Sequence, residues 1–191
     1  MTPTPETPPT PAEPDTPAMW LPASALDCYE GDAALRSWLR TPGLLTERVR
    51  AASGATFALQ VFAEDTRHGE HRRAIALGPR EAPWIYAETA IPDATLAREP
   101  WLARIGTVSL GEALTAHGDV TRSGFSYARL TPDVPLLARA AERAPFAPQP
   151  LWVRRSEFAV RGAPLTVQEV FLPAIGRGGA AAGAPRVAWR A

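Results

Sequence analysis

Six stretches of this 191-residue chain read with the two-residue period of a β-strand: "TFALQVFAE", "RRAIALG", "APWIYAETAIP", "VTRSGFSYARL", "LWVRRSEFAV" and "PLTVQEVFLPA". They are joined mostly by hairpins or by short helical insertions, with "GPREAP" and Arg161 to Ala163 as hairpin connections. That pattern predicts an α+β single domain built on an antiparallel sheet of about six strands, with helices covering one face. The expected helices are "AALRSWLR" capped by Asp32, a short turn from Leu44 to Val49, a helix opening on the capping box of Ser109 and Glu112, and "PLLARAAERA" capped by Thr131 or Asp133.

Two charged residues break the strand pattern. In the last stretch Leu165, Val167, Glu169 and Phe171 share one face, so a carboxylate sits among apolar neighbours. In the second, Arg73 shares its face with Ile75 and Leu77. An unpartnered buried charge costs several kcal/mol, so each must meet an opposite charge, a proton or a ligand. Two readings stand side by side: Arg73 and Glu169 bridge each other as a structural pair, or each holds one end of a small polar ligand in a pocket. The helix opening at "TVSLGEAL" adds unpaired N–H groups around Ser109, Leu110 and Gly111, where Gly111 permits close approach and a carboxylate is attracted.

Composition removes several partner classes. Lys and Arg balance Asp and Glu at 20 each, without a basic run, so no footprint for nucleic acid is expected. Cys28 is the single cysteine, which excludes an internal disulfide and fits a reducing cytosol. His68, His71 and His117 lack metal-ligand spacing, so neither a metal nor another cofactor is expected. No apolar run approaches the ~18 residues of a membrane span, and no signal-peptide pattern opens the chain. Residues 1–18 form a Pro/Thr-rich leader and 176–191 a Gly/Ala-rich tail, both expected to be disordered, which leaves 19–175 as the folded domain.

In order along the chain, "WLRTPGLLTERV", "RRAIALGPREAPWIYAETAIP", "IGTVSLGEAL", "VTRSG", "LWVRRSEFAV" and "PLTVQEVFLPA" resemble the blocks of the chorismate pyruvate-lyase family over about residues 35 to 175. The resemblance implies a six-stranded antiparallel sheet with helical flaps over a closed internal pocket. It also implies removal of pyruvate from chorismate to give 4-hydroxybenzoate for ubiquinone synthesis. The family's ligand-binding Arg falls on Arg73, its backbone-contributing Leu on Leu110, and its pocket Glu on Glu169. The family's methionine in the first flap is replaced by Leu45, an apolar exchange of similar volume.

On that resemblance Arg73 and the Leu110 N–H are expected to take the substrate's carboxylates. Glu169 would stand at the 4-hydroxyl, either moving a proton or only orienting the ring. Arg154 and Arg155 are candidate second cations for the other carboxylate but read first as a solvated patch beside a hairpin, Glu88 reads as part of a strand-edge salt bridge, and Thr121 and Arg122 as structural. The expected partners are chorismate and 4-hydroxybenzoate, acting on a cytoplasmic monomer. Effector-sensing domains of similar fold are the alternative, although a proline tract stands where their helix-turn-helix domain would precede them.

Overall fold

The computed structural model describes residues 19–29 and 31–175; the leader and tail expected to be disordered lie outside the described residues. The elements run β1 (Leu21–Pro22), α1 (Ala33–Leu39), α2 (Leu45–Ser53), β2 (Phe57–Arg67), β3 (Glu70–Pro79), β4 (Ile85–Pro92), α3 (Asp93–Arg98), α4 (Leu110–His117), β5 (Val120–Arg122), β6 (Ser126–Leu130), α5 (Pro135–Arg143), β7 (Leu151–Val160) and β8 (Ala163–Phe171). Eight strands make one antiparallel sheet in the order β1-β6-β7-β8-β4-β3-β2, with β5 also paired to β7. The expected six become eight for two reasons. "VTRSGFSYARL" divides at Ser123 to Phe125 into β5 and β6, and the two-residue β1 adds a rung beside β6.

Two tight turns fix the registers that matter. His68 and Gly69 both have positive φ, 52° and 79°, as a two-residue hairpin loop requires, and they set Arg67 opposite Glu70. Arg161 and Gly162, at 46° and 77°, do the same between β7 and β8, so Val160 faces Ala163. In β2 the register shifts between Val61 and Ala63. Because such a bulge inserts one residue, Val61 and Glu64 both fall on the face that carries Ile75 and Arg73, although their odd spacing in sequence would otherwise oppose them.

Both faces of the sheet are covered, where helices on one face were expected. On one side Tyr86, Val153 and Val170 pack against Leu136, Leu137 and Ala140 of α5. On the other, Ile75, Leu77, Ala87 and Phe171 meet Trp38, Leu39, Leu45 and Val49, while Phe158, Leu165 and Val167 meet Leu102, Leu110 and Leu114. Helix α1 is capped as expected, with Asp32 accepting from the Ala34 N–H at 2.8 Å. Helix α5 is not capped by Thr131 or Asp133. Its N-cap is Val134 with no side-chain hydrogen bond, and Pro135 at the first turn supplies a pre-set φ and has no N–H to satisfy. No helix among the described residues is long and apolar enough to cross a membrane.

The capping box of α4 forms as the spacing predicts: Glu112 N–H donates to Ser109 Oγ at 3.3 Å, and Glu112 Oε2 accepts from the Ser109 N–H at 3.2 Å. Glu112 Oε1 also meets Arg50 Nη1 of α2 at 2.8 Å, which ties two helices on the same side of the sheet. Burial pushes the Glu112 carboxyl up, but hydrogen bonds from Arg50 and Ser109 outweigh it and hold the group below its ordinary value. A depressed folded value stabilises the fold fully above the unfolded-chain value of about 4.3 and loses that contribution as pH falls through the folded value. Glu112→Ala is therefore expected to cost about 1 kcal/mol in denaturant melts at pH 7. The gap to wild type should close towards pH 3, and a gap that persists there would assign the loss to packing instead.

Candidate active site

The register of β3, β4, β8 and β7 lays out two parallel rungs across one face of the sheet. The first runs Ile75, Ala87, Glu169, Arg154 and on to Tyr127 of β6; the second runs Arg73, Thr89, Val167, Ser156. Ile75, Ala87, Glu169, Arg154, Thr89, Val167 and Ser156 form the floor of a small cavity. Its roof comes from Gly43 to Thr46, at the start of α2, and from Ser109 to Gly111, at the start of α4. Leu45, Leu110 and Glu169 line this cavity.

Glu169 does meet a cation, but it is Arg154 rather than Arg73. Arg154 Nε donates to Glu169 Oε2 at 2.6 Å, across one rung of the β7–β8 hairpin. Arg154 is 1% exposed, so the solvated patch expected at this position is absent. Its Nη1 donates to the carbonyls of Thr41 at 2.8 Å and Leu39 at 3.3 Å, and its guanidinium lies 4.1 Å from the Phe125 ring centroid. Its Nε and Nη1 therefore meet acceptors and its face meets an aromatic ring, which offset the cost of burying a guanidinium close to the like charges of Arg122 and Arg48.

Arg73 lies one rung away, 2% exposed, and its own carboxylate is Glu64 at 3.0 Å, delivered by the β2 bulge. The structural bridge between Arg73 and Glu169 is thus not formed, and Arg73 is not among the residues lining the cavity. Arg73 Nη2 donates to the carbonyls of Gly106 at 2.5 Å and Val108 at 3.0 Å, which pins the loop leading into α4. Its Nη1 is buried without a hydrogen-bond partner. Burial lowers the Arg73 pKa from its ordinary value, partly offset by Glu64.

The two halves of the roof touch. A Cβ on Gly111 would lie 2.6 Å from Leu44 Cδ2, so the absent side chain here admits Leu44 rather than leaving open space at the helix start. The N–H groups of Leu110 and Gly111, at the first two positions of α4, have no acceptor within the helix. Arg122, read as structural, also lines the cavity and donates to the Pro42 carbonyl at 2.6 Å. Burial and the neighbouring Arg154 charge push its pKa down to about 10. Arg155 and Glu88 lie on the opposite face, Glu88 receiving Arg139 at 2.8 Å and 2.9 Å and Arg155 meeting Glu157 at 3.4 Å. Among the described residues no three His, Cys, Asp or Glu side chains come together as a metal site would need.

Sequence reasoning missed the pairing of Arg154 with Glu169, the turn of Glu64 towards Arg73 and the place of Arg122 in the cavity wall. The signal for Arg154 was present, because counting outward from a two-residue turn at Arg161 and Gly162 sets Arg154 opposite Glu169. Glu64 had no such signal, since the bulge that turns it towards Arg73 has no sequence mark of its own.

The resulting arrangement is a small, mostly apolar cavity with a cation-held carboxylate in its floor and helix N–H groups in its roof, suited to a ring compound with polar ends. A family model described as chorismate lyase matches residues 15–177. A protein named "Probable chorismate pyruvate-lyase" from Thiobacillus denitrificans is 35% identical over 82% of this chain and 89% of its own length. One of the same name from Coxiella burnetii is 31% identical over 82% and 92%. Among solved structures, a possible transcriptional regulator, YydK of Bacillus subtilis, superposes with a TM-score of 0.41 at 12% identity over 63% of this chain and 59% of that one, a likeness too distant to carry an argument. With the family model spanning the whole described domain and relatives matching along nearly their full lengths, the chain belongs to the chorismate lyase family.

Proposed function

We propose that this protein removes pyruvate from chorismate to give 4-hydroxybenzoate, the ring precursor for ubiquinone, as a cytoplasmic monomer without a cofactor. The observation that carries the reading is the pairing of Glu169 with Arg154 in the cavity floor, which offers a fixed hydrogen-bond acceptor where an apolar ring would lie. Arg73 does not line the cavity, but it is buried one rung away and anchors the loop that leads into α4, which supports a role for it at the other end. Its unpartnered Nη1 and the helix N–H groups of Leu110 and Gly111 are donors suited to a carboxylate. Strand and rung spacings place the Arg73 and Glu169 backbones roughly 12 Å apart, a span that two inward-reaching side chains and a para-substituted ring can fill. Leu45, buried in the roof, covers the ring.

In this reaction the ring C4 hydrogen is lost, the C3–O bond to the enolpyruvyl group breaks, and its electron pair leaves with the enolpyruvyl oxygen. Protonation of the enolpyruvyl CH2 carbon completes pyruvate, and aromatisation drives the step. The chain's contribution is to hold the dianion dry and aligned. Glu169, with Oε2 taken by Arg154, acts as acceptor for the 4-hydroxyl hydrogen, and its neighbouring cation favours that role over donation of a proton to the leaving oxygen. The ties that hold the roof down also favour slow product release, so product inhibition is expected.

Purified protein incubated with chorismate in metal-free buffer should form 4-hydroxybenzoate and pyruvate in equal amounts, slowed by added 4-hydroxybenzoate. Folded protein that binds 4-hydroxybenzoate but forms neither product would overturn the enzyme reading. Arg73→Ala should lower kcat/KM for chorismate by about 100-fold or more, since a charged donor to a buried carboxylate is removed. It should also lower Tm, because the loop at Gly106 and Val108 loses its anchor. Activity within threefold of wild type would place the carboxylate cradle elsewhere.

A further inference from the structure

The carboxylate in the cavity floor has two oxygens with different surroundings. Oε2 receives Arg154 Nε at 2.6 Å, a bond that does not engage Oε1, and the Arg122 guanidinium, which also lines the cavity, feels the charge of the same carboxylate. The guanidinium that holds Oε2 is planar, and its Nη1 is committed to the Thr41 and Leu39 carbonyls. Phe125 lies over the same group at 4.1 Å and Phe171 at 5.8 Å. A planar donor fixed on one edge by two backbone carbonyls and sandwiched by rings has little freedom to turn, so it fixes the plane of the carboxylate it holds. Lysine, with a single rotatable ammonium, could not reproduce both grips at once.

We propose that Arg154 is a positioning residue of the site: it fixes the Glu169 carboxylate by Oε2 so that Oε1 is directed to the ligand's hydroxyl, and it ties that carboxylate to the roofing segment through Leu39 and Thr41. This rests on the reading that the site takes an acid bearing a hydroxyl at the far end of its ring. Arg154 does not touch the reacting atoms in this arrangement; it acts through Glu169. Without it, a carboxylate on an apolar floor takes up a proton or turns away, and either change removes the directed acceptor. The consequence is selectivity. The ligand's carboxylate is held elsewhere, so Arg154 governs discrimination between a ring that has the hydroxyl and one that lacks it.

The test compares dissociation constants of 4-hydroxybenzoate and benzoate by calorimetry for wild type, Arg154→Gln, Arg154→Lys, Glu169→Gln and the double variant Arg154→Gln/Glu169→Gln. Wild type should prefer 4-hydroxybenzoate by about tenfold or more, the worth of one hydrogen bond to a charged group. In Arg154→Gln the preference should fall to near parity while benzoate affinity changes by less than about threefold. In the Glu169→Gln background the same substitution should leave the ratio unchanged. If Arg154→Gln does not fold, Arg154→Lys keeps the charge and should still lose most of the preference. A folded Arg154 variant that retains the wild-type ratio, or one that loses both ligands equally, reduces Arg154 to a structural brace and overturns the proposal. Wild type that binds neither acid overturns the functional reading and this one together. Wild type that shows the preference without turning over chorismate overturns the enzyme reading alone.

Discussion

A guanidinium and a carboxylate face each other on one rung of the β7–β8 hairpin, and the organisation of the cavity follows from how that pair is made tolerable. Removing two charges from water costs several kcal/mol per ion, and their attraction compensates only if the remaining donors are satisfied. Arg154 meets that condition by drawing on chain far away in sequence: the Leu39 and Thr41 carbonyls, at the end of α1 and just beyond it, accept from Nη1. The segment between α1 and α2 is therefore brought down onto the sheet by the same interaction that holds Glu169. Tyr127, next along the same rung, adds a hydroxyl donated to the Leu39 carbonyl at 3.2 Å. An apolar pair in place of Arg154 and Glu169 would take the Nη1 donor from the Thr41 carbonyl, so the guanidinium serves the roofing segment as well as the carboxylate.

The second cation follows the same rule by a different route. Arg73 is buried on the adjacent rung and recruits Glu64, which the β2 bulge turns to its side, together with two carbonyls of the loop before α4. The bulge is a one-residue irregularity with a large effect, because it converts an outward carboxylate into the counter-ion of a buried arginine. Downstream of that loop the capping box fixes the start of α4, so the positions of the Leu110 and Gly111 N–H groups depend on Arg73 and on Ser109 together.

Much of this was legible in the sequence. The period-two stretches, the capping box, the cap at Asp32 and the inward faces of Arg73 and Glu169 all express local rules that operate within a few residues. Partner choice was less legible, for a physical reason. Which charge meets which depends on register across strands, and register is countable only when the turn is tight and regular. The Arg161–Gly162 turn is such a turn, so Arg154 could have been found; the β2 bulge is not, so Glu64 could not. The division of "VTRSGFSYARL" into two strands escaped for a similar reason. At that point the chain leaves the ladder while the Ser123 N–H still donates to the Glu157 carbonyl at 2.9 Å, a non-local bond that no periodicity encodes.

The pattern extends beyond these two residues. Arg122 donates to the Pro42 carbonyl, and Arg48, lying 4.0 Å from the Trp38 ring centroid, donates to the Ser37 carbonyl at 2.6 Å and Thr41 Oγ1 at 2.7 Å. The roofing segments are held by guanidinium groups captured on backbone carbonyls, in addition to the apolar packing of Leu39, Leu45 and Leu110. Such bonds have a property that apolar contacts lack: an anion entering the cavity competes for the same donors. On the proposed function, a ligand carboxylate drawing on Arg73 would compete with the Gly106 and Val108 carbonyls that its Nη2 now serves, while the Thr41 and Leu39 carbonyls would keep Arg154 Nη1.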